Sequence, residues 1–219
     1  MRVVDLSQQN SLLQTFLAEL RNVSVQTDPL RFRRNLERIG EVMAYELSKT
    51  MVYGQQTIQT PLASISLPEL SEQIVLATIF RAGLPLHAGF LNYFDHAQNA
   101  FVSAYREYTD DSHTEVKINI EYLASPRLEG KTLIIADPML ATGGSMELAY
   151  RALLTKGTPA KVHFCSVIAA KKAVDYLQEK IDSDNATLWL GAVDPLLNEQ
   201  KYIVPGLGDA GDLAFGVKE

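Results

Sequence analysis

Residues 132–157 read TLIIADPMLATGGSMELAYRALLTKG and combine an apolar run, a glycine-containing loop and a helical pattern. The run TLIIAD is typical of a buried strand and ends at Asp137. A helix is predicted from about Ser145 to Lys156, and Gly157 closes it. A strand end, a loop and a helix N-terminus in this order indicate an α/β unit that binds ligands at the carboxyl edge of its sheet.

The same alternation of strand and helix continues on both sides of this unit. Residues 162–170 (VHFCSVIAA) and 187–193 (TLWLGAV) predict two more strands, with a helix between them at residues 173–180 (AVDYLQEK). Upstream, residues 73–80 (QIVLATIF) predict another buried strand. Such an order implies a mostly parallel sheet with right-handed crossovers, so the predicted fold class is α/β.

The N-terminal third is predicted to be helical. One helix lies around residues 11–22, and a second begins at Asp28, whose side chain caps the helix, with Pro29 in the first helical position. Further along, residues 115–123 (EVKINIEYL) alternate apolar and polar side chains and predict a half-exposed strand. This strand belongs to a predicted two-stranded arm at about residues 101–127.

Composition indicates one ordinary soluble domain, residues 1–219, with 47% hydrophobic and 21% charged residues. A net charge of -6 argues against general nucleic-acid or membrane-surface binding, which requires clustered positive charge. The single cysteine, Cys165, lies in an apolar run and predicts a buried residue in a reducing compartment. No apolar stretch is long enough to span a bilayer, and we therefore expect a cytoplasmic protein.

The loop after Asp137 has the features of a phosphate site. Residues 142–145 (TGGS) supply backbone N–H groups and hydroxyls at a helix N-terminus, where the helix dipole favours an anion. No lysine follows the glycines, which excludes a nucleoside-triphosphatase P-loop. Asp137 would accept hydrogen bonds from ribose hydroxyls. On this loop alone, an ordinary glycine-rich turn with a solvated acid remains the alternative.

A second glycine pattern lies at the C-terminus, in residues 202–219 (YIVPGLGDAGDLAFGVKE). Gly206, Gly208 and Gly211 match the G-x-G-x-x-G fingerprint of dinucleotide-binding proteins. That fingerprint needs a following helix, a second strand and an acidic ribose ligand. The few residues after Gly211 leave no room for this set, so the interpretation as an oxidoreductase is rejected.

Residues 137–145 (DPMLATGGS) resemble the phosphoribosyl-pyrophosphate (PRPP) loop of the uracil phosphoribosyltransferases. The resemblance implies the type I phosphoribosyltransferase fold, with N-terminal helices, a protruding β-arm and a C-terminal base-binding hood at about residues 194–219. It extends more weakly through residues 31–47 and 196–206. The PRPP-binding residues that it implies in this loop are Asp137, Pro138, Met139, Leu140, Ala141, Thr142, Gly143, Gly144 and Ser145.

Two arginines match the family's pyrophosphate contacts. Residues 80–86 (FRAGLPL) resemble the pyrophosphate loop, in which Arg81 supplies a fork of donors. Residues 104–108 (AYREY) resemble the base of the family's flexible arm, so Arg106 is also implied to reach the pyrophosphate. The arm would act as a lid that excludes water from PRPP.

The C-terminal glycines resemble the family's uracil-binding loop. Ile203, Gly208 and Ala210 would contact the base through main-chain groups, and Tyr202 would wall the pocket. Asp209 would lie near the PRPP ribose and is the candidate for orienting or deprotonating N1 of uracil.

The resemblance implies that uracil and PRPP give uridine monophosphate (UMP) and pyrophosphate, with Asp137, Arg81, Arg106 and Asp209 as the catalytic residues. Mg²⁺ would bind chiefly through PRPP oxygens and water, and we predict no protein metal ligand. The histidines (His87, His96, His113 and His163) show no metal-binding spacing. The alternatives are an RNA-binding regulator on the same scaffold and salvage of another base. We expect a dimer or a higher oligomer, and GTP activates some relatives.

Overall fold

In the computed structural model, the backbone is described for residues 1–108 and 116–218, and the side chains of residues 104–108 and 116–119 lie outside the described part. The helices are α1 (Leu12–Arg21), α2 (Pro29–Ser48), α3 (Gly83–Leu91), α4 (Gly144–Leu153), α5 (Lys171–Lys180) and α6 (Ala210–Phe215). The strands are β1 (Arg2–Asp5), β2 (Tyr53–Gln59), β3 (Ser64–Leu70), β4 (Ile74–Phe80), β5 (Gln98–Tyr108), β6 (Val116–Ala124), β7 (Thr132–Ala136), β8 (Met139–Leu140), β9 (Lys161–Ala170), β10 (Ala186–Asp194), β11 (Leu196–Leu197) and β12 (Ile203–Val204).

The predicted α/β fold class is confirmed. Over the described residues, the central sheet has eight strands, with seven in the order β1-β10-β9-β7-β4-β5-β6 and the short β8 paired to β9. Every pairing is parallel except that of β6 with β5, which is antiparallel. β7 is buried throughout and β9 at all but its first residue, as expected of parallel strands with both faces covered.

The helices begin where the sequence predicts them. The Asp28 side chain accepts hydrogen bonds from the backbone N–H groups of Leu30 and Arg31, and Pro29 occupies the first helical position. The predicted helix after Asp137 runs from Gly144 to Leu153 and ends in a 3₁₀ turn before Gly157, whose φ is 123°. Each of these helices buries an apolar stripe.

Several elements have no counterpart in the sequence-based prediction. The hairpin of β2 and β3 is exposed on nearly every residue, and its alternation of apolar and polar residues covers only residues 64–67 before Pro68, which is too short to predict a strand. α3 begins directly after Arg81, where a loop was expected. A short helix, α6, forms in the C-terminal segment that was expected to have no room for one. No strand follows it within the described residues.

The core encloses the side chains predicted to lie inside. Cys165 is fully buried, and the loss of hydration raises the pKa of its thiol well above the usual range. Trp189 is also buried, and its Nε1 donates a hydrogen bond to Nδ1 of His163 at 3.2 Å. In the part of the chain that the structure describes, no helix is both long and apolar enough to cross a membrane.

Candidate active site

A cavity of about 370 Å³ opens at the carboxyl ends of β4 and β7, under the C-terminal segment. It brings together most of the predicted site residues, which come from three separate stretches of the chain: Arg81, Asp137, Met139, Ala141, Ser145, Tyr202, Ile203, Gly208, Asp209 and Ala210. Pro138, Leu140, Thr142, Gly143 and Gly144 do not line it. The position agrees with the rule that open parallel sheets bind ligands beyond their carboxyl ends.

A second cavity, of about 500 Å³, lies near the start of β4 and is larger. Its lining includes the acidic residues Glu69, Glu72 and Asp95, and none of the predicted site residues. These three carboxylates disfavour the binding of phosphate ligands, so the smaller cavity is the candidate active site.

The predicted PRPP loop, residues 137–145, is fastened to the neighbouring strand. The backbone N–H of Asp137 donates to the carbonyl of Cys165 at 3.1 Å, and its carboxylate accepts from the N–H of Met139 at 3.3 Å. The Pro138 carbonyl accepts from two successive N–H groups of β9, at 3.0 and 3.1 Å. Pro138 and Leu140 are therefore buried against the sheet, which holds the loop in place.

Gly143 shapes the far end of this loop. Its φ is 88°, a left-handed conformation that L side chains rarely adopt, and it precedes the first residue of α4. A Cβ there would lie 2.7 Å from Cδ1 of Tyr176. The Tyr176 hydroxyl donates in turn to Glu147 in the first turn of α4. The loop thus packs against an aromatic ring on its outer side, while the first N–H groups of α4 have no partner within the helix.

Arg81 follows β4 and is held by the C-terminal segment. Its Nη2 lies 2.6 Å from Oδ1 of Asp212, and its Nη1 donates to the carbonyl of Gly216 at 3.0 Å. The sequence-based prediction missed both contacts, because each partner is more than a hundred residues away along the chain. Gly83, two residues on, has a packing role: a Cβ there would lie 2.3 Å from Oγ1 of Thr78.

Arg106 lies in β5, where its backbone pairs with Ile118 of β6. Its side chain lies outside the described residues, and so does the tip of the arm, residues 109–115. The antiparallel pairing of β5 with β6 agrees with the arm predicted at about residues 101–127. The contact of Arg106 with pyrophosphate stays a prediction.

The predicted uracil-binding loop, here called the base loop (residues 202–210), leaves the sheet and turns back over it. β12, near the start of the loop, pairs with the preceding β11 as a two-stranded hairpin, and the Val204–Pro205 peptide bond is cis. Gly206 has a φ of 61°, and a Cβ on it would lie 2.0 Å from the carbonyl oxygen of Ile203. Only glycine fits this turn, because a backbone atom occupies the space.

Residues of the N-terminal helices brace the base loop. The Arg21 guanidinium makes two hydrogen bonds of 2.7 Å to the carboxylate of Asp194 and donates to the Gly206 carbonyl at 2.9 Å. Asp194 also accepts from the Gly206 N–H at 2.9 Å, and its side chain is only 6% exposed. Gln26 donates to the carbonyl of Leu207 at 3.1 Å. No sequence pattern indicated these contacts.

Asp209 has a structural role in α6 in addition to its predicted role at the substrates. Its carboxylate accepts from the backbone N–H of Asp212 at 3.0 Å and so caps α6. Leu213, the residue after Asp212 in α6, is partly buried. One of its methyl groups lies 3.6 Å from where a Cβ of Gly208 would be. The leucine therefore packs under the base loop and leaves the backbone frame intact.

The cavity also contains residues that the motifs did not indicate. Lys201 and Lys218 line it and place positive charge beside the carboxylates of Asp137 and Asp209. Ile79, Phe80 and Ser103 complete the lining. Lys201 lies within the stretch 196–206 that resembles the family, which is the only sequence signal that pointed to it.

The histidines of the sheet region lie outside this cavity. His87 is buried, its Nε2 lies 2.8 Å from Oδ1 of Asn99, and burial lowers its pKa. Burial also lowers the pKa of His163 to about 4. Across the residues that are described, no group of three or more His, Cys, Asp or Glu side chains is arranged to hold a metal ion.

Comparison with known proteins identifies the family of this chain. A family model described as uracil phosphoribosyltransferase matches residues 7–217. The uracil phosphoribosyltransferase of Porphyromonas gingivalis is 57% identical over 218 residues, covering 100% of both chains. The one from Methanothermobacter thermautotrophicus is 38% identical and covers 86% of this chain and 85% of its own.

Solved structures agree on the fold. The AQ2163 protein of Aquifex aeolicus superposes with a TM-score of 0.87 at 31% identity, covering 98% of each chain. A hypoxanthine phosphoribosyltransferase of Staphylococcus aureus, 14% identical with a TM-score of 0.50 over 86% of this chain and 84% of its own, shares the fold. From its motifs, its sheet and these relatives, the chain belongs to the uracil phosphoribosyltransferase family.

Proposed function

We propose that this protein transfers the 5-phosphoribosyl group from PRPP to uracil, giving UMP and pyrophosphate. One observation carries the proposal: a single cavity joins the PRPP loop, the pyrophosphate-loop arginine and the base loop. The most similar relatives named above carry the name of this activity.

The reaction breaks the bond between the anomeric carbon and pyrophosphate while N1 of uracil attacks the same carbon. Positive charge develops on the sugar and negative charge on the departing pyrophosphate, so catalysis depends on positioning and on charge stabilisation. Asp137, at the end of β7, accepts hydrogen bonds from the ribose hydroxyls. The N–H groups at the start of α4 hold the 5′-phosphate. Arg81, together with Arg106 from the arm, neutralises the leaving group.

The base loop reads uracil with backbone groups. Uracil is planar and neutral, and its alternating carbonyl and N–H groups match main-chain donors and acceptors of Ile203, Gly208 and Ala210. Tyr202 forms a wall of the same cavity. Asp209 also lines the cavity, and it orients N1 or accepts its proton. A rigid, braced backbone suits this task because misplacement of the base by an ångström lowers the rate steeply.

Mg²⁺ fits this site as a companion of PRPP. The lining holds two carboxylates, Asp137 and Asp209, which is too few for an all-protein cage but suits an ion that keeps water and binds substrate oxygens. These two residues would hold it through bound water, in keeping with the prediction of no direct protein ligand. When bound, it supplies positive charge that offsets the charge of pyrophosphate.

The β2–β3 hairpin supports the proposal of an oligomer. The side chains of this hairpin are exposed to solvent. They include Leu62, which is 96% exposed, and the half-exposed Ile58 and Ile65. Apolar side chains on a projecting hairpin favour burial against a second copy, so we propose at least a dimer in the cytoplasm. Sedimentation at several protein concentrations measures this, and a monomer at every concentration would refute it.

The activity is tested by following pyrophosphate release from PRPP with uracil, cytosine, hypoxanthine and adenine in parallel, with and without Mg²⁺ and with and without GTP. Of the four bases, only uracil should release pyrophosphate from PRPP, and this release should depend on Mg²⁺. Turnover of another base with none of uracil would refute the assignment. A rate increase with GTP would place this enzyme with the relatives that GTP activates.

A further inference from the structure

We infer that Asp212 is a positioning residue that orients the Arg81 guanidinium toward the pyrophosphate of PRPP, so that the segment that reads the base also prepares the leaving-group site. The inference rests on the proposed function and deepens it. Asp212 does not line the cavity, whereas Arg81 and the neighbours of Asp212, namely Asp209, Ala210 and Gly211, do. It therefore acts through Arg81 rather than on substrate.

The contacts leave Arg81 able to bind an anion. A guanidinium has five N–H donors. Asp212 and the Gly216 carbonyl take one each, at 2.6 and 3.0 Å, which leaves three for pyrophosphate. Two partners at two nitrogens also fix the plane of the guanidinium. Because Arg81 lines the cavity, the ion pair and a bound pyrophosphate are compatible.

Asp212 is itself held at a defined position. Its N–H donates to the carboxylate of Asp209 at 3.0 Å, and its carbonyl accepts from the N–H of Gly216 at 2.8 Å. Gly211 lets the guanidinium pass close by, since a Cβ there would lie 3.2 Å from Nη2 of Arg81. A movement of the base loop at Asp209 therefore also moves the Asp212 carboxylate, which binds the Arg81 guanidinium.

Exposure of the pair argues for this role rather than for a part in folding. The side chains of Arg81 and Asp212 are 37% and 27% exposed. Ion pairs with this access to water contribute little to stability. Without Asp212, the long Arg81 side chain regains rotamer freedom, which must be lost again when pyrophosphate binds.

Two effects of Asp212→Asn act in opposite directions, and the sign of the change identifies the role. Removing a negative charge beside the site favours an anion, whereas losing the orientation of Arg81 disfavours it. Screening weakens the first effect at an exposed position. We expect Asp212→Asn to weaken pyrophosphate binding about tenfold and to lower kcat/KM for PRPP about as much. KM for uracil should change less than about twofold.

The test measures pyrophosphate binding to the full chain by calorimetry, steady-state kinetics and Tm, for wild type, Asp212→Asn, Asp212→Glu, Arg81→Gln and the double variant Arg81→Gln/Asp212→Asn. If Asp212 acts through Arg81, replacing Asp212 in the Arg81→Gln variant causes no further loss of pyrophosphate affinity. Asp212→Glu keeps the carboxylate and should recover part of the affinity, which also covers the case in which Asp212→Asn folds poorly.

Arg33→Gln is the matched control. Arg33 donates to the carbonyl of Ala214 at 2.6 Å and lies 5.9 Å from the ring centroid of Phe215, so it secures α6 without touching Arg81. Its replacement should leave pyrophosphate binding unchanged. The inference is overturned if Arg33→Gln weakens binding as much, if Asp212→Asn tightens it, or if the losses in the double variant multiply. A wild type that binds pyrophosphate but does not convert uracil would instead refute the proposed function.

Discussion

The PRPP loop and the base loop face each other across one cavity and are built in different ways. The PRPP loop joins β7 to α4 and is fastened by backbone hydrogen bonds to β9, the strand beside it in the sheet. The base loop begins in a short hairpin, β11–β12, outside the central sheet. It is held by Arg21 and Gln26, which lie about 180 residues away along the chain. The first loop takes its shape from a local unit of the fold, and the second depends on distant side chains.

The largest expected effect is on the PRPP loop itself. Asp137→Asn keeps the side-chain size but removes the charge that would hold the ribose hydroxyls as positive charge develops on the sugar. We expect a loss of about a thousandfold in kcat, as for other preorganised charged groups, with an unchanged circular dichroism spectrum. Full retained activity would show that the ribose contact lies elsewhere.

Gly206→Ala tests the backbone of the base loop. The new Cβ would meet the Ile203 carbonyl oxygen at 2.0 Å, and a backbone atom cannot swing away as a side chain does. We expect a loss of about 3 kcal/mol of stability and a large increase in KM for uracil. Urea unfolding and uracil kinetics measure the two effects. A variant with the wild-type KM for uracil would contradict the base-reading role of this loop.

Arg21→Gln tests the brace from the N-terminal helix. It leaves the carboxylate of Asp194 buried without its cation, which costs about 3 kcal/mol in comparable buried pairs. The base loop should loosen, so KM for uracil should rise about tenfold, while pyrophosphate binding, which this loop affects only through Asp212 and Arg81, should weaken less. Arg31→Gln is the control, because its pair with Glu19 is more exposed and remote from the cavity. Equal effects on both substrates would remove the distinction between the two loops.

Gly143→Ala, in the PRPP loop, should have the smallest effect of the four. Its Cβ would meet the edge of the Tyr176 ring, a side chain that is able to move, although the φ of 88° still disfavours alanine. We expect a loss of about 1 kcal/mol and a KM for PRPP raised a few-fold. Adding Tyr176→Phe, which removes the hydroxyl contact with Glu147, should ease the shift of the ring. A loss of stability larger than that of Gly206→Ala would reverse the comparison between the two loops.

Much of the fold could be predicted because its signals are local. The buried runs that became β4, β7, β9 and β10, and the capped start of α2, carry apolar periodicity or a capping residue within a few positions. The β2–β3 hairpin was missed because its one alternating stretch, residues 64–67, is only four residues long and is followed by Pro68. α6 was missed because a six-residue helix capped by Asp209 has too few turns to show a stripe.

The sequence by itself determined which residues the candidate site has: an acid at a strand end, glycines at a helix start, an arginine after β4 and a Pro-Gly turn in the predicted base loop. Each of these is a property of adjacent residues, since caps, turns and strand ends are fixed by nearby backbone geometry. Only the tertiary structure decided how they are held. The pairs Arg81–Asp212 and Arg21–Asp194 join positions 131 and 173 residues apart. Such pairs exist only after the sheet has brought the distant segments together, and no local pattern encodes them.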